Sequence, residues 1–409
     1  MSCSEWKEYR LNEVCLEITD GSHSSPKSVD KGYPMASVKD MNYFDISIDT
    51  CRQISEEDYN KLTKGNCKPK VNDVLIAKDG SYMKHVNVVK EEKDLVILSS
   101  IAILRPNMDI INPNFLKYYL LSPSIKQDLE QGYVSGSAIR RIVLKDFRRF
   151  PINLPPLEEQ EKIADVLSSL DNKIELNNEM NKTLEEMAQS IFKRWFADFE
   201  FPNEDGQPYK SSGGEIVESE LGMIPKGWQV TQIDDISQVT MGVSPSSKTY
   251  NEDNIGLPLL NGAADFEGKL IKPSKFTSEP KKICKKGDMV FGVRATIGNI
   301  VFADKEYALG RGVASVEPND KVFREFIYYS LDNSMANLIN NASGSVFLNL
   351  KKADITDLKV CYSEEIVEKF NNVAKVLIDK IIENDIESEM LKQNRDILLS
   401  KLMNGEIQI

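Results

Sequence analysis

Ile163-Ala164-Asp165-Val166-Leu167-Ser168-Ser169-Leu170, continued by Asn177, Leu184 and Ile191, is the stretch on which the fold turns. Ile163, Leu170, Asn177, Leu184 and Ile191 recur every seven residues, and Leu167, Ile174 and Ala188 support them four residues on. Phe370, Leu377, Asn384, Leu391 and Leu398 form a second such series, supported by Ala374, Ile381 and Leu402. A strict seven-residue repeat winds two helices into a left-handed coiled coil. Each series carries an Asn at the third of its five layers. A buried Asn in such a seam costs stability and fixes register. Because it is central in both, antiparallel packing brings Asn177 and Asn384 together; the alternative is that both face solvent at the seam's edge. A helix of about 40 residues is about 60 Å long, so two such rods packed antiparallel would hold what precedes them at opposite ends.

Outward from the rods, the chain is a duplication. Trp6-Lys7-Glu8-Tyr9-Arg10-Leu11 opens one half and Trp228-Gln229-Val230-Thr231-Gln232-Ile233 the other; Ser135-Gly136-Ser137 recurs as Ser343-Gly344-Ser345. A spacing of about 210 residues far exceeds a solenoid repeat of about 20–50. Each half therefore reads as a globular head followed by a helix. The offset drifts from 222 at the tryptophans to 215 at Asp73 and Asp288, 212 at Pro106 and Pro318, 208 at the Ser-Gly-Ser pair and 207 in the rods. One framework is kept while loop lengths change, and loops are where recognition sits. Strand-like runs are Asp73–Ala77, Val86–Val89 and Leu95–Leu104, then a helix after Asn112-Pro113. Asp288–Phe291, Asn299–Phe302, Gly312–Val316 and a helix with Phe326 and Tyr329 repeat them. Residues 201–227, rich in Gly, Pro, Ser and acid, read as a surface linker.

The formal charge of −12 argues at first against nucleic acid, but its distribution matters more. Residues 1–150 hold 22 basic and 21 acidic side chains, and 226–360 hold 17 and 16. The excess acid lies in 151–225 (6 basic, 16 acidic) and 361–409 (6 and 10). Near-neutral heads can carry a one-sided basic surface, with partners supplying much of the field for a phosphate backbone. Six cysteines without a CxxC pair, and only His23 and His85, argue against a zinc site and fit a reducing compartment. With no signal-like or membrane-spanning stretch, the expectation is a cytoplasmic protein without membrane contact.

Three further motifs name a family. Leu154-Pro155-Pro156-Leu157-Glu158-Glu159-Gln160-Glu161-Lys162-Ile163-Ala164 opens the first rod, Ile191-Phe192-Lys193-Arg194-Trp195-Phe196-Ala197-Asp198-Phe199 closes it, and Ser219-Glu220-Leu221-Gly222-Met223-Ile224-Pro225-Lys226-Gly227-Trp228 begins the next head. In this order they resemble the specificity (S, HsdS-type) subunit of Type I restriction–modification systems along essentially the whole chain. The second copy departs: Val360-Cys361-Tyr362-Ser363-Glu364-Glu365 replaces the Pro-Pro run and no Gln follows.

The resemblance implies an α+β fold, in which two mixed α/β target recognition domains are separated by two long conserved helices. Those helices pack as an antiparallel coiled coil, giving a pseudo-twofold internal repeat. The boundaries would be 1–156 and 228–362 for the recognition domains, 157–200 and 363–409 for the helices, and 201–227 for the linker. It implies that each domain reads one half of a split, asymmetric site on double-stranded DNA. The helices would set the gap and dock two methyltransferase (M) subunits, which restriction (R) subunits join. This chain would bind no cofactor; S-adenosylmethionine, ATP and Mg belong to the partners. Half-sites about a helical turn apart need readers roughly 34 Å apart, which a rod of about 60 Å can supply.

Sequence readout needs Arg, Lys, Asn, Gln, Ser or Thr on loops that reach base edges. Lys78, Ser81, Lys84 and His85 lie in a turn between strand-like runs; Arg294, Thr296 and Asn299 occupy the matching stretch. The alternative is an ordinary charged hairpin. After Ser135-Gly136 come Ser137, Arg140 and Arg141, matched by Ser345; the small residues permit close approach, or simply serve a tight turn. Lys281 and Lys282, with Lys285 and Lys286, form a basic cluster suited to phosphate or to plain solvation. Arg311, between Gly310 and Gly312, is a further candidate. Trp6 and Trp228 read as packing residues; Trp195 and Phe196 read as packing against a head, the alternative being an anchor for a partner.

Enzyme readings fare worse. The lone Pro-Pro lacks the amide or acid and the aromatic of an adenine methyltransferase. Glu267-Gly268-Lys269 with Asp253 upstream matches a nuclease pattern that arises easily by chance and has no counterpart in the first head. Neither a phosphate-cradling GxxxxGK[ST] nor a GxSxG elbow occurs. The remaining alternative is a coiled-coil scaffold without sequence-specific DNA binding.

Overall fold

A computed structural model describes residues 6–79, 85–132, 134–135, 141–341, 349–407 and 409. It resolves into two compact units, Met1–Glu175 with Glu389–Ile409, and Leu176–Ser388. Each unit thus combines one head with part of each long helix.

In the first unit, the antiparallel sheet runs in the order Cys15–Asp20, Ile101–Pro106, Val74–Ala77, Val86–Val88. Val74–Ala77 is buried at all four positions. Because side chains alternate across a strand, Val74 and Ile76 join a core with Phe115, Leu116 and Ile163. Leu75 and Ala77 join another with Ala36, Ile97 and Ile103. The apolar run Leu95–Leu104 does not form one strand: it breaks between Val96–Ile97 and Ile101–Pro106. The first piece pairs in parallel with Tyr33–Ala36 in a second sheet. Helix Pro113–Leu121 starts where Asn112 caps it, its side chain accepting from the amides of Asn114 and Phe115.

The second unit repeats this scheme. Its sheet runs Ser237–Met241, Val313–Pro318, Met289–Gly292, Gly298–Phe302. Met289 and Phe291 face one core and Val290 another. Leu257–Leu260 pairs in parallel with Tyr307–Leu309, as Tyr33–Ala36 does with Val96–Ile97. In both units the opening strand pairs with the strand that feeds a long helix: Lys7–Arg10 with Pro151–Leu154, and Gln229–Gln232 with Lys359–Tyr362.

The long helices span Leu157–Phe192 and Glu364–Met403. Their starts differ. The Gln160 amide accepts from the Asn112 amide and donates to the carbonyls of Ile110 and Pro155, stapling helix to head. Val367, which stands at the corresponding place, is buried in the apolar core instead. A π-helical turn, Lys193–Ala197, ends the first helix and shifts the phase of its last side chains. Phe196 then meets Trp228 and Phe326 (ring centroids 5.7 and 4.9 Å), and Trp195 meets Phe370. The stretch expected as a surface linker is folded in part: Ile216–Ser219 and Gly222–Pro225 form a hairpin and Ile224 is buried. Phe201, Tyr209, Val217 and Ile224 pack against the core there, at no regular spacing that would stand out from the polar surroundings. Among the described residues no helix is long and apolar enough to cross a membrane.

Candidate nucleic-acid interface

Antiparallel order puts alternate strand ends at one edge of each sheet. In the second unit that edge collects the ends of Ser237–Met241 and Met289–Gly292 and the starts of Val313–Pro318 and Gly298–Phe302. The loops carrying Arg294, Thr296 and Arg311 therefore emerge together beside Asn299, the second residue of Gly298–Phe302, and all four residues are exposed. The Val293 amide donates to the Gly312 carbonyl (2.9 Å), tying the two loops. The Leu309 amide donates to the Lys282 carbonyl, which adds exposed Lys281 and Lys282 to the same end. Lys285 turns away: it pairs with Glu317 (2.8 Å), at the far end of Val313–Pro318. The four-lysine cluster is therefore divided by the strand between its halves.

The first unit builds its edge with the same backbone bonds. The Gly21 amide donates to Ile101 as the Gly242 amide does to Val313. Ser22 donates to Ile97 as Val243 does to Leu309, and Lys78 to Ser100 as Val293 does to Gly312. A Cβ on Gly21 would lie 2.1 Å from the Ile97 carbonyl oxygen, and one on Gly242 2.0 Å from that of Gly310. Both crossings thus exclude any side chain.

Residues just past the Ser-Gly-Ser stretch of each head pair with the other candidate loop at this edge. Ile142 donates to the Lys78 carbonyl (3.1 Å) and Leu350 to that of Val293 (3.0 Å). The bridge between Asp79 and Arg141 answers the one between Arg294 and Asn349. At matched positions the first unit sets Asp79 against Arg141 (3.6 Å). The second sets Arg294, whose Nε donates to Asn349 Oδ1 (3.0 Å). One scaffold presents acid then base in one head, base then amide in the other.

In this register Arg294 answers to Asp79, and Lys78 to buried Val293. Lys78 is itself buried, its ammonium 3.1 Å from Asp20, so it holds the loop rather than reaching outward. His85 is half-buried, its carbonyl accepting from Ala77. Ser81, Lys84, Ser137, Arg140 and Ser345 lie outside the described residues. Asn349, Asp79 and the exposed His23, bonded to Asp20 (3.2 Å), were not singled out by the sequence. Asn349 follows the second Ser-Gly-Ser by four residues, and only sheet pairing brings it to Arg294. Ala295, at φ 57°, holds a left-handed turn between Arg294 and Thr296, a strain of about 1–2 kcal/mol of the kind that collects at functional loops.

Asn177 and Asn384 are buried rather than facing solvent. Asn177 Nδ2 donates to Glu387 Oε2 (2.9 Å) and Ser388 Oγ (3.2 Å), and Asn384 Nδ2 to Asn181 Oδ1 (2.8 Å). Asn181 in turn donates to Asp385 Oδ1 (2.8 Å). Partners advance along one helix as they retreat along the other, so the helices run antiparallel here. In the first unit Asp171 accepts from Lys117 (3.1 Å), Tyr118 (2.7 Å) and Arg395 (2.8 Å), all buried. Desolvation lowers the Lys117 pKa, and Asp171 opposes that shift. Of the nuclease-like pattern, Glu267 bonds Lys272, and Lys269 is held by Tyr328 and Glu185.

Known proteins agree with this layout. The pattern of the Type I restriction modification DNA specificity domain matches residues 3–186 and again 225–388. The HindI specificity subunit of a type I restriction enzyme from Haemophilus influenzae is 24% identical over 99% of this chain and 100% of its own. The MjaIX specificity subunit from Methanocaldococcus jannaschii is 28% identical over 71% of this chain and 68% of its own. In fold, the chain is similar to the crystal structure of a Type-I restriction-modification system S subunit from M. genitalium. That likeness has a TM-score of 0.62 at 17% identity and covers 98% of this chain and 97% of the other.

Proposed function

The chain belongs to the family of Type I restriction–modification DNA specificity proteins, and we propose that each of its units reads one half of a bipartite, asymmetric site on double-stranded DNA through the sheet edge described above. The observation that carries this reading is the shared hydrogen-bond scheme with unlike side chains, Asp79 and Arg141 in one unit against Arg294 and Asn349 in the other. Kept backbone positions the reader and exchanged side chains choose the base. A scaffold protein has no use for that combination.

The paired helices set the gap, with Asn177 and Asn384 holding register, and dock two methyltransferase subunits. Exposed apolar side chains support docking. On the second long helix Met390 and Ile397 stand seven residues apart and are 60 and 55% exposed, an uncovered apolar pair suited to another helix. Catalysis and cofactors belong to the partners: S-adenosylmethionine to the methyltransferase subunits, ATP and Mg to the restriction subunits. The near-neutral heads rely on those subunits for the positive field around DNA, and the assembly works in the cytoplasm.

Coexpression with the cognate methyltransferase subunits in a host lacking other methylation, followed by genome-wide mapping of methylated adenine, tests this. One two-part motif with a fixed gap is expected. Replacing residues 228–362 by those of a relative should change one half of it only. Methylation of a single contiguous motif, or none, would refute the reading.

A further inference from the structure

We propose that Asp385 is a positioning residue that locks the second recognition head onto the polar layer of the helix pair. The inference rests on the bipartite reading above and names a residue that sets the gap without touching DNA. Phe266–Glu267 and Leu270–Ile271 form a short hairpin whose tip is Gly268-Lys269. The Lys269 amide donates to Asp385 Oδ2 (2.7 Å), while Asp385 Oδ1 accepts from Asn181 (2.8 Å). One carboxylate therefore joins the head to the layer containing Asn177, Asn181 and Asn384. The lysine side chain adds a second hold on Tyr328 Oη (2.5 Å) with Glu185 3.8 Å away. Gly268 sits at φ 59°, and a Cβ there would lie 2.6 Å from Asp385 Oδ2, so the tip approaches as closely as backbone can.

The first unit holds its equivalent hairpin by other chemistry. Met41 bridges Ile46 around a tip at Tyr43, and Asn87 Nδ2 donates to the carbonyls of Asn42 and Tyr43. The Tyr43 ring lies under Arg395 (4.3 Å) and Lys117 (5.1 Å), beside Asp171. A hairpin tip thus seats on a buried polar layer of the helices in each unit, by carboxylate and amide in one and by cation and ring in the other. A contact kept while its chemistry is exchanged points to a fixed placement of head on rod. A loosened tip would leave the reading edge unaltered but let the head shift along the helices.

Asp385→Ala and Gly268→Ala remove the same contact from opposite sides and test it. In the full chain, hydrogen exchange at the Lys269 amide should speed up about tenfold to a hundredfold in Asp385→Ala, the range expected for losing one bond to a charged acceptor. An unchanged rate would overturn the proposal whatever the protein's function. With methyltransferase subunits, both variants should retain both half-site sequences and methylate additional sites whose gap differs by one base pair. Ile378→Val, a core change in the same helix, should lower stability without altering the gap. Unchanged gaps, or a changed half-site sequence, in the alanine variants would overturn the positioning role. Absence of any two-part motif with the unaltered chain would instead overturn the reading on which it rests.

Discussion

Replacing Asp171 by alanine should cost the first unit about 3–5 kcal/mol, the penalty for leaving buried cations without their counter-charge. Its carboxylate accepts from Lys117, Tyr118 and Arg395 at 2.7–3.1 Å, and Lys117 and Arg395 are each 7% exposed. Arg395 keeps Asp396 (2.8 Å), but that carboxylate is largely solvated and screens weakly. With a urea dependence of about 2 kcal/mol per molar, the midpoint should fall by about 2 M. Pulsed hydrogen exchange along a urea titration separates the units, because peptides from Val74–Pro106 report one and peptides from Met289–Pro318 the other. The variant should also show a particular pH dependence. Desolvation already holds the Lys117 pKa below its ordinary value, and losing Asp171 lowers it further. The folded state then binds that proton less tightly than the unfolded chain, so the penalty should shrink as pH rises toward the ordinary lysine range. Adding Lys117→Met should recover part of the loss, with a coupling of about 1–3 kcal/mol. A loss below about 1 kcal/mol, or strict additivity, would refute the claim that Asp171 neutralises this cluster.

Asp73 and Asp288 occupy matched positions and should respond oppositely to conversion to Asn. Asp73 is clamped by Arg105 through two bonds of 2.9 Å, and Asp73→Asn should destabilise the first unit by about 3 kcal/mol. Asp288 has Glu317 nearby, and burial followed by that neighbour raises its pKa. Its folded form gains stability on protonation, so Asp288→Asn should stabilise the second unit at neutral pH. That gain should vanish as pH falls from the raised pKa through the ordinary aspartate range; urea titrations at stepped pH read both signs. Arg294→Ala should relax the half-site read by the second unit alone, by about 1–3 kcal/mol of base discrimination. Methylation maps should show added off-target sites that keep the first half-site. Phe196→Ala, which empties the centre of the aromatic cluster, should cost the second unit about 3–5 kcal/mol, seen in its exchange peptides and not in those of the first.

The rods and the duplication were legible from residues alone because both are periodic. Ile163 to Ile191 and Phe370 to Leu398 fall on one face whatever surrounds them, and a repeated head keeps its anchors at drifting but monotonic offsets. The cap at Asn112, the buried run Val74–Ala77 and the exposure of Arg294 and Arg311 follow from local chemistry. The hairpin at Ile216–Pro225 escaped because its few buried apolar residues carry no period.

Long-range pairing decided the rest. Lys78 and Arg294 look alike in one dimension, yet Asp20 draws one inward while sheet register leaves the other exposed. Nothing local ties Asn349 to Arg294, Asp171 to Arg395, or Gly268 to Asp385. Those contacts join residues 55, 224 and more than 100 positions apart, and arise because strand order and antiparallel helices bring them together. Periodicity is a property of neighbours along the chain and can be read there. The partner of a charged side chain is chosen by the energy of burial, which depends on what the completed fold sets against it.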